Sequence, residues 1–151
     1  MSKINIKQHI PNTLTCLNLV CGCFSTMASL NGNLTFAAIW IVVAAIFDFC
    51  DGLSARILKV TSAIGKELDS LSDVVSFGVA PTMIVYKWLT ICYFQMPPAS
   101  QTHFVFLCSY LVFLVPALSA VRLARFNIDT KQTENFIGMP TPANALFLGF
   151  I

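Results

Sequence analysis

The chain has 151 residues, of which 56% are hydrophobic and only 11% are charged, and its mean hydropathy is +0.75. A soluble globular domain carries about a quarter charged residues, so this composition excludes an ordinary water-soluble protein and indicates an integral membrane protein. The formal net charge of +2 is too small to indicate a nucleic-acid-binding protein.

The first two apolar runs predict two membrane-spanning helices. Residues 11–30 are long enough, at about 1.5 Å per residue, to cross a hydrocarbon core of about 30 Å, and Pro11 suits the start of this helix. The second span is expected at residues 34–50, and its helix continues out of the membrane to about residue 58. The short uncharged turn at residues 31–33 joins the two spans, so we expect them to be antiparallel.

The rest of the chain predicts further spans and an all-α fold. A third helix is expected at residues 66–94, with a kink near Gly78 and Pro81, which interrupt it. We therefore predict a polytopic transmembrane helix bundle with four full spans and the start of a fifth. The remaining predicted parts are a tight connection at residues 61–65, the fourth span at residues 103–123, a polar segment at residues 127–135 and a fifth apolar run from Pro140.

The basic residues indicate the orientation of this bundle. Eight of the nine Lys and Arg residues fall in the N-terminal segment, in the connection between the second and third helices, or after the fourth span. By the positive-inside rule these three regions are cytoplasmic. Lys87 is the exception, and its long side chain can reach the opposite interface. The eight residues are Lys3, Lys7, Arg56, Lys59, Lys66, Arg122, Arg125 and Lys131.

Four aspartates lie on either side of the connection between the second and third helices. Asp48 and Asp51 are three residues apart, and Asp69 and Asp73 are four apart, so each pair shares a helix face and a short connection turns the pairs toward each other. Two carboxylates roughly 5 Å apart repel by about 3 kcal/mol at an effective dielectric of about 20. Divalent cations with oxygen ligands relieve this repulsion, so the sequence predicts a two-metal phosphate site. The alternative, solvated loop charges, is disfavoured because Asp48 directly follows an apolar run.

The spacing of eight residues around these aspartates resembles the signature of the CDP-alcohol phosphotransferase family. The resemblance implies that Asp48, Asp51 and Asp69 hold one divalent cation, and that Asp48, Asp69 and Asp73 hold a second, each Mg2+ or Mn2+. It also implies that Asp73 is the general base. Because the family has six membrane helices, we expect residues 1–151 to be a single domain that is truncated at its C-terminal end. The eight residues are Asp48, Asp51, Gly52, Ala55, Arg56, Gly65, Asp69 and Asp73.

The same resemblance selects residues for the nucleotide and its diphosphate. Gly52 and Ala55 lack bulk where the family places the cytidine, although small residues also serve ordinary packing. Arg56 can bind a phosphate bidentately or brace an aspartate. Ser62 and Gly65 can supply hydroxyl and backbone donors to the phosphates, or can have only a loop role.

The segment from Pro11 to Thr15 resembles the nucleotide-contacting entry segment of the family. Helix N-termini favour anions, so Asn12 and Thr15 are candidates for the nucleotide. The alternative is that these two side chains only cap the first helix.

Three later segments resemble the branch of the family that uses serine, the CDP-diacylglycerol-serine O-phosphatidyltransferases. They are residues 74–81, 122–127 and 136–143. Val74 follows the last aspartate at a position where we expect a lysine in phosphatidylglycerophosphate synthases, which weighs against that alternative. Arg122 and Arg125 are candidates for the serine carboxylate, or are positive-inside anchors. The implied reaction transfers the phosphatidyl group of CDP-diacylglycerol to L-serine and releases CMP.

Other interpretations remain open at this stage. One is an enzyme of the same family that uses another alcohol as acceptor. The other is a non-enzymatic cation transporter, which is disfavoured because the aspartates lie at helix ends on one side only. The expected partners are CDP-diacylglycerol, L-serine and membrane lipid, and the expected location is a bacterial inner membrane with the site facing the cytoplasm. Small residues at 21–23 favour bundle packing and a homodimer contact equally. No disulfide or zinc site is predicted from the six cysteines.

Overall fold

The described part of the chain is helical and contains no strand, which confirms the predicted all-α fold. The computed structural model describes residues 6–60, 62–98, 101 and 103–128. The helices are α1 (Ile6–Leu30), α2 (Leu34–Leu58), α3 (Ala63–Asp73), a π-helical segment (Val74–Val79), α4 (Ala80–Gln95), α5 (His103–Cys108), a 3-10 segment (Ser109–Phe113) and α6 (Leu114–Ile128).

Four helical stretches in the described ranges are long and apolar enough to cross a membrane. They are His9–Leu30, Leu34–Leu58, Ile64–Gln95 and Phe106–Arg125. These stretches correspond to the four predicted spans, so the prediction of a polytopic membrane bundle is confirmed. The predicted fifth apolar run from Pro140 lies outside the described residues.

The connection between α1 and α2 is a three-residue turn. Gly32 has a φ of +82°, and its N–H donates to the carbonyl of Ser29, while the N–H of Asn33 donates to the carbonyl of Ala28. This is the Schellman pattern that ends many helices. The Asn33 side chain then accepts from the N–H of Phe36 and caps α2. The tight turn makes α1 and α2 an antiparallel pair, as predicted.

The start of α1 differs from the prediction. The helix begins at Ile6, so Pro11 lies inside it and not at its first position. A proline removes only the bond that its own N–H would make, here to residue 7 near the helix start, so the rest of the helix keeps its hydrogen bonds. The prediction that Pro11 begins this helix is therefore wrong.

The third span also begins earlier than predicted and has a different interruption. Ser62 accepts a hydrogen bond from the N–H of Gly65 at 2.9 Å, and this cap starts α3 at Ala63. The irregularity expected near Pro81 is a π-helical turn that begins directly after Asp73, in which the N–H of Ala80 donates to the carbonyl five residues before it. Pro81 has no N–H to donate to the helix, which favours a wider turn before it.

Small and hydroxyl side chains let the helices approach closely. A Cβ added at Gly22 of α1 would lie 2.8 Å from the Cα of Ser76 in the π-helical segment. Ser76 Oγ donates across this contact to the carbonyl of Asn18 at 3.0 Å, and Ser72 Oγ donates to the carbonyl of Thr15 at 3.1 Å. Such small residues and interhelical hydrogen bonds are typical of packing within membranes. They fix α1 against α3 and the turn that follows it.

Candidate active site

The four predicted aspartates form one cluster between α2 and α3. Carboxylate oxygens of Asp48, Asp51 and Asp69 all lie within 4.8 Å of one another. The side chain of Asp73 lies next to that of Asp48, so it adjoins this triad. Asp51 is only 6% exposed, and the other three aspartates are half-buried. The two helices therefore bring the two pairs of carboxylates together.

The donor set of this cluster fits a divalent cation. Two carboxylates about 4.8 Å apart repel by roughly 3 kcal/mol at an effective dielectric of about 20, and a triad has three such pairs. Oxygen atoms on one Mg2+ lie roughly 3 to 4 Å apart, because each metal–oxygen distance is about 2.1 Å. Carboxylate oxygens within 4.8 Å of one another can converge on one such ion with small side-chain adjustments, and oxygen-only ligands are what Mg2+, Mn2+ and Ca2+ prefer. The residues present can hold such an ion.

Helix α1 supplies hydrogen-bond donors to two of the aspartates. Thr15 Oγ1 donates to Asp51 Oδ2 at 2.7 Å, and it also contacts the carbonyl of Pro11 at 3.0 Å. Asn18 Nδ2 donates to Asp73 Oδ1 at 3.5 Å. Thr15 and Asn18 are both buried and lie three residues apart, so they share one face of α1.

A cleft of about 510 Å³ opens beside this cluster. Asp51 and Asp69 lie in its wall together with most of the residues predicted for the nucleotide. Arg56 is exposed and is not among the lining residues. Val60 and Lys66 are lining residues that the sequence analysis did not select. The complete lining is Pro11, Asn12, Thr15, Asp51, Gly52, Ala55, Val60, Ser62, Gly65, Lys66 and Asp69.

The two glycines that line the cleft, Gly52 and Gly65, have different surroundings. A Cβ at Gly52 would meet nothing within 4 Å, so this position is open toward the cleft. A Cβ at Gly65 would lie 2.8 Å from Ser62 Oγ and 3.0 Å from Asn12 Oδ1. Gly65 is therefore needed for a close approach between the start of α3 and α1. Its N–H is engaged by Ser62, which supports the structural role left open for this pair.

The structure separates the alternatives for the segment from Pro11 to Thr15. Asn12 and Thr15 lie within α1, which begins at Ile6, so they do not cap its start. The anion-favouring helix N-terminus at the cleft is instead that of α3, because Ser62, Gly65 and Lys66 are all in the lining. The start of α3, and not the start of α1, therefore presents the positive end of a helix dipole to the cleft.

The two predicted serine-binding arginines, Arg122 and Arg125, differ in how far they are buried in the bundle. Helix α6 packs on the π-helical segment, with Pro116 Cβ 3.4 Å from a Cβ placed at Gly78. The chain has turned back after α4, so six residues beyond Pro116, about 9 Å along the helix, reach the level of Asp73. Arg122 is half-buried at that level, whereas Arg125 is exposed.

Comparison with known proteins identifies the family of this fold and site. The model of the CDP-alcohol phosphatidyltransferase family matches residues 8–151. The chain belongs to this family. No solved structure matches the chain significantly.

Curated relatives from the same family cover most of this chain. A CDP-diacylglycerol–serine O-phosphatidyltransferase of Bacillus subtilis is 34% identical over 135 residues, which are 89% of this chain and 70% of that protein. The enzyme of the same name from Helicobacter pylori is 36% identical over 148 residues, 96% of this chain and 57% of its own length. An archaetidylserine synthase of Methanothermobacter thermautotrophicus is 34% identical over 146 residues, 95% of this chain and 58% of its own length. The chain therefore spans only a little over half the length of the last two relatives.

Membership of the CDP-alcohol phosphatidyltransferase family confirms the predicted resemblance. Asn18, which donates to Asp73, was not among the predicted site residues. The signal that could have found it is a stripe of polar and small residues along an otherwise apolar helix, spaced by three and four residues. That spacing places all of them on one face, and their burial in the bundle confirms the face. The stripe consists of Thr15, Asn18, Gly22, Ser25 and Ser29.

Proposed function

We propose that the protein transfers the phosphatidyl group of CDP-diacylglycerol to the hydroxyl of L-serine and releases CMP. The observation that carries this proposal is the carboxylate cluster that opens into a cleft with a bulk-free wall at Gly52. The names of the Bacillus, Helicobacter and Methanothermobacter relatives support serine as the acceptor. The fall of eight of the nine Lys and Arg residues in segments on one side of the bundle supports a site that faces the cytoplasm at a bacterial inner membrane.

The aspartates are assigned to two divalent cations, Mg2+ or Mn2+. Asp48, Asp51 and Asp69 would hold the first, and Asp48, Asp69 and Asp73 the second. When bound, such ions neutralise negative charge on a diphosphate and on the departing nucleotide. Thr15 fixes the Asp51 carboxylate through its 2.7 Å hydrogen bond, which keeps that ligand oriented before a substrate arrives.

The cleft beside the cluster suits the CDP part of the lipid substrate. Its volume of about 510 Å³ lies in the range typical of small-molecule sites. Gly52 and Ala55, one helical turn apart on α2, leave a flat wall against which the cytidine can lie. The start of α3 and the ammonium group of Lys66 supply positive potential for the phosphates.

Asp73 is assigned as the general base. Its carboxylate takes the proton of the serine hydroxyl, the hydroxyl oxygen forms a bond to the phosphorus that bears diacylglycerol, and the bond from that phosphorus to CMP breaks. The products are phosphatidylserine, CMP and one proton, which Asp73 passes to water. Positioned bases of this kind contribute about 10² to 10⁴-fold to rate.

A direct test uses the purified protein with CDP-diacylglycerol, Mn2+ and labelled serine. We expect labelled phosphatidylserine and stoichiometric CMP, no product in EDTA, and recovery when Mn2+ is added back. In parallel reactions, glycerol phosphate and inositol phosphate replace serine as acceptors. Transfer to either of them at a rate above that with serine would contradict the proposed acceptor, and transfer that persists in EDTA would contradict the cation requirement.

Arg122 is the proposed partner of the serine carboxylate, because it is half-buried at the level of Asp73. We expect Arg122→Gln to raise the KM for serine by about 10 to 100-fold, since a charge-assisted hydrogen bond contributes about 1.5 to 3 kcal/mol. The KM for CDP-diacylglycerol should change little. Steady-state kinetics with each substrate varied in turn provides the measurement.

The matched control is Arg125→Gln, which removes the same charge one turn along α6 from an exposed side chain. It should leave the KM for serine within a factor of about two. An unchanged KM for serine in Arg122→Gln would assign Arg122 to membrane anchoring and leave the serine carboxylate without a named partner.

A further inference from the structure

Asn18 is a buried polar residue with a hydrogen-bond acceptor left unsatisfied by the described residues, which lowers the stability of the fold. Its side chain is fully buried on α1. The amide Oδ1 has no hydrogen-bond partner among the described residues, although the atom itself is buried. A buried acceptor left unsatisfied costs about 1 to 3 kcal/mol, whereas an apolar side chain of the same shape avoids this cost. The presence of an amide here therefore needs a reason other than stability.

The side-chain NH2 group of Asn18 supplies that reason. Asn18 Nδ2 donates to Asp73 Oδ1 at 3.5 Å, and the Asp73 carboxyl group in turn lies next to that of Asp48. The Asp73 carboxyl group is thus held between an amide donor on α1 and an acidic group on α2. Its own helix ends at Asp73, where the π-helical turn begins, so the local backbone departs from regular α-helical geometry there.

The backbone around Asn18 is fixed independently of its side chain. Its carbonyl accepts the hydrogen bond from Ser76 Oγ, one turn after Asp73. One turn further along α1, Gly22 makes the close approach to Ser76. These contacts lock α1 against the π-helical segment, so the Asn18 amide reaches Asp73 from a rigid position. The arrangement parallels that of Thr15, which donates to Asp51 from the same face of α1.

We propose that Asn18 is a positioning residue, whose amide N–H fixes the orientation of the Asp73 carboxylate against Asp48. It does not touch the substrate, and it acts through Asp73 alone. The inference rests on the proposed function, in which Asp73 is the base. It goes beyond that function because it assigns α1 a part in orienting the Asp73 carboxylate.

The test compares the wild type with Asn18→Leu, an apolar replacement of similar shape. We expect kcat to fall by about 10 to 100-fold while the KM values for serine and CDP-diacylglycerol stay within about twofold. We also expect the thermal midpoint of the purified protein, followed by tryptophan fluorescence in EDTA, to stay the same or rise. Asn18→Asp, which replaces the donor by an acceptor next to Asp73, should lower both kcat and the thermal midpoint.

A double-mutant comparison separates positioning from packing. In an Asp73→Asn background, Asn18→Leu should lower the residual rate no further, because the residue acts only through Asp73. The control is Ser25→Ala on the same buried face of α1, whose Oγ donates to the carbonyl of Ala37 away from the cluster. Ser25→Ala should lower the thermal midpoint and leave kcat unchanged.

Three results would overturn the inference. They are a kcat for Asn18→Leu within threefold of the wild type, an equal loss in the two backgrounds, and failure of Asn18→Leu to fold, since an apolar replacement is expected to fold at least as well. The failure of the proposed function is a separate result, because it appears in the wild type as absence of transfer to serine.

Discussion

Replacing Asp73 with asparagine is expected to lower the rate of transfer by about 10³-fold or more and to stabilise the protein in EDTA. The loss of rate follows from the removal of the assigned base and of one carboxylate ligand. The gain in stability follows because an asparagine amide donates to Asp48 without a bound proton, whereas two neighbouring carboxyl groups must share one proton or repel each other. Transfer assays and thermal unfolding in EDTA measure the two effects.

The same variant should also respond less to divalent cations. Binding to the folded state raises stability by an amount that grows with ion concentration, so Mn2+ should raise the thermal midpoint of the wild type more than that of Asp73→Asn. The control is Glu67→Gln, which removes an exposed carboxylate from α3 outside the cluster. It should change neither the transfer rate nor the response to Mn2+. Full activity of Asp73→Asn would refute the base assignment, and a lower stability in EDTA would refute the electrostatic account of the cluster.

Replacing Gly52 with alanine is expected to make the protein more stable and much less active. A glycine inside a helix costs about 0.5 to 1 kcal/mol relative to alanine, and a Cβ at position 52 would meet nothing within 4 Å. Gly52 is in the lining of the cleft, so under the proposed function the added methyl group would displace the cytidine. Because a displacement of about 1 Å at a reacting centre can cost about 100-fold, we expect kcat/KM for CDP-diacylglycerol to fall by that order. Substrate-dependent rates and thermal midpoints measure this combination.

Two neighbouring variants test this reasoning. Gly65→Ala should lower stability, by about 1 kcal/mol, because its Cβ would lie 2.8 Å from Ser62 Oγ and disrupt the cap of α3. Leu53→Ala, which shortens an exposed apolar side chain on α2, should leave kcat/KM unchanged. If Gly52→Ala retained wild-type kinetics, the cytidine would not lie against this wall. If it destabilised the protein, position 52 would be a packing position.

Much of the fold followed from patterns that are local in sequence. The spans were predictable because each needs only a sufficiently long apolar run, and the four stretches of the structure match the predicted ones. The helix starts were less predictable. Pro11 and Gly65 both look like boundaries, yet Pro11 lies inside α1 and Gly65 lies in the first turn of α3. In the case of Gly65 the boundary is set by Ser62, whose side chain makes the capping bond.

The sequence by itself determined the membrane bundle and the pairing of aspartates, because spacings of three and four residues place side chains on one face of any helix. Only the tertiary structure decided which groups meet those aspartates. Thr15 and Asp51 are 36 residues apart, and Asn18 and Asp73 are 55 apart, so no local period relates them. The contact of Asn18 with Asp73 depends on the close approach at Gly22, where absence of a side chain lets α1 lie against the π-helical segment. The depth of Arg122 depends in the same way on the packing of α6, which only the folded chain defines.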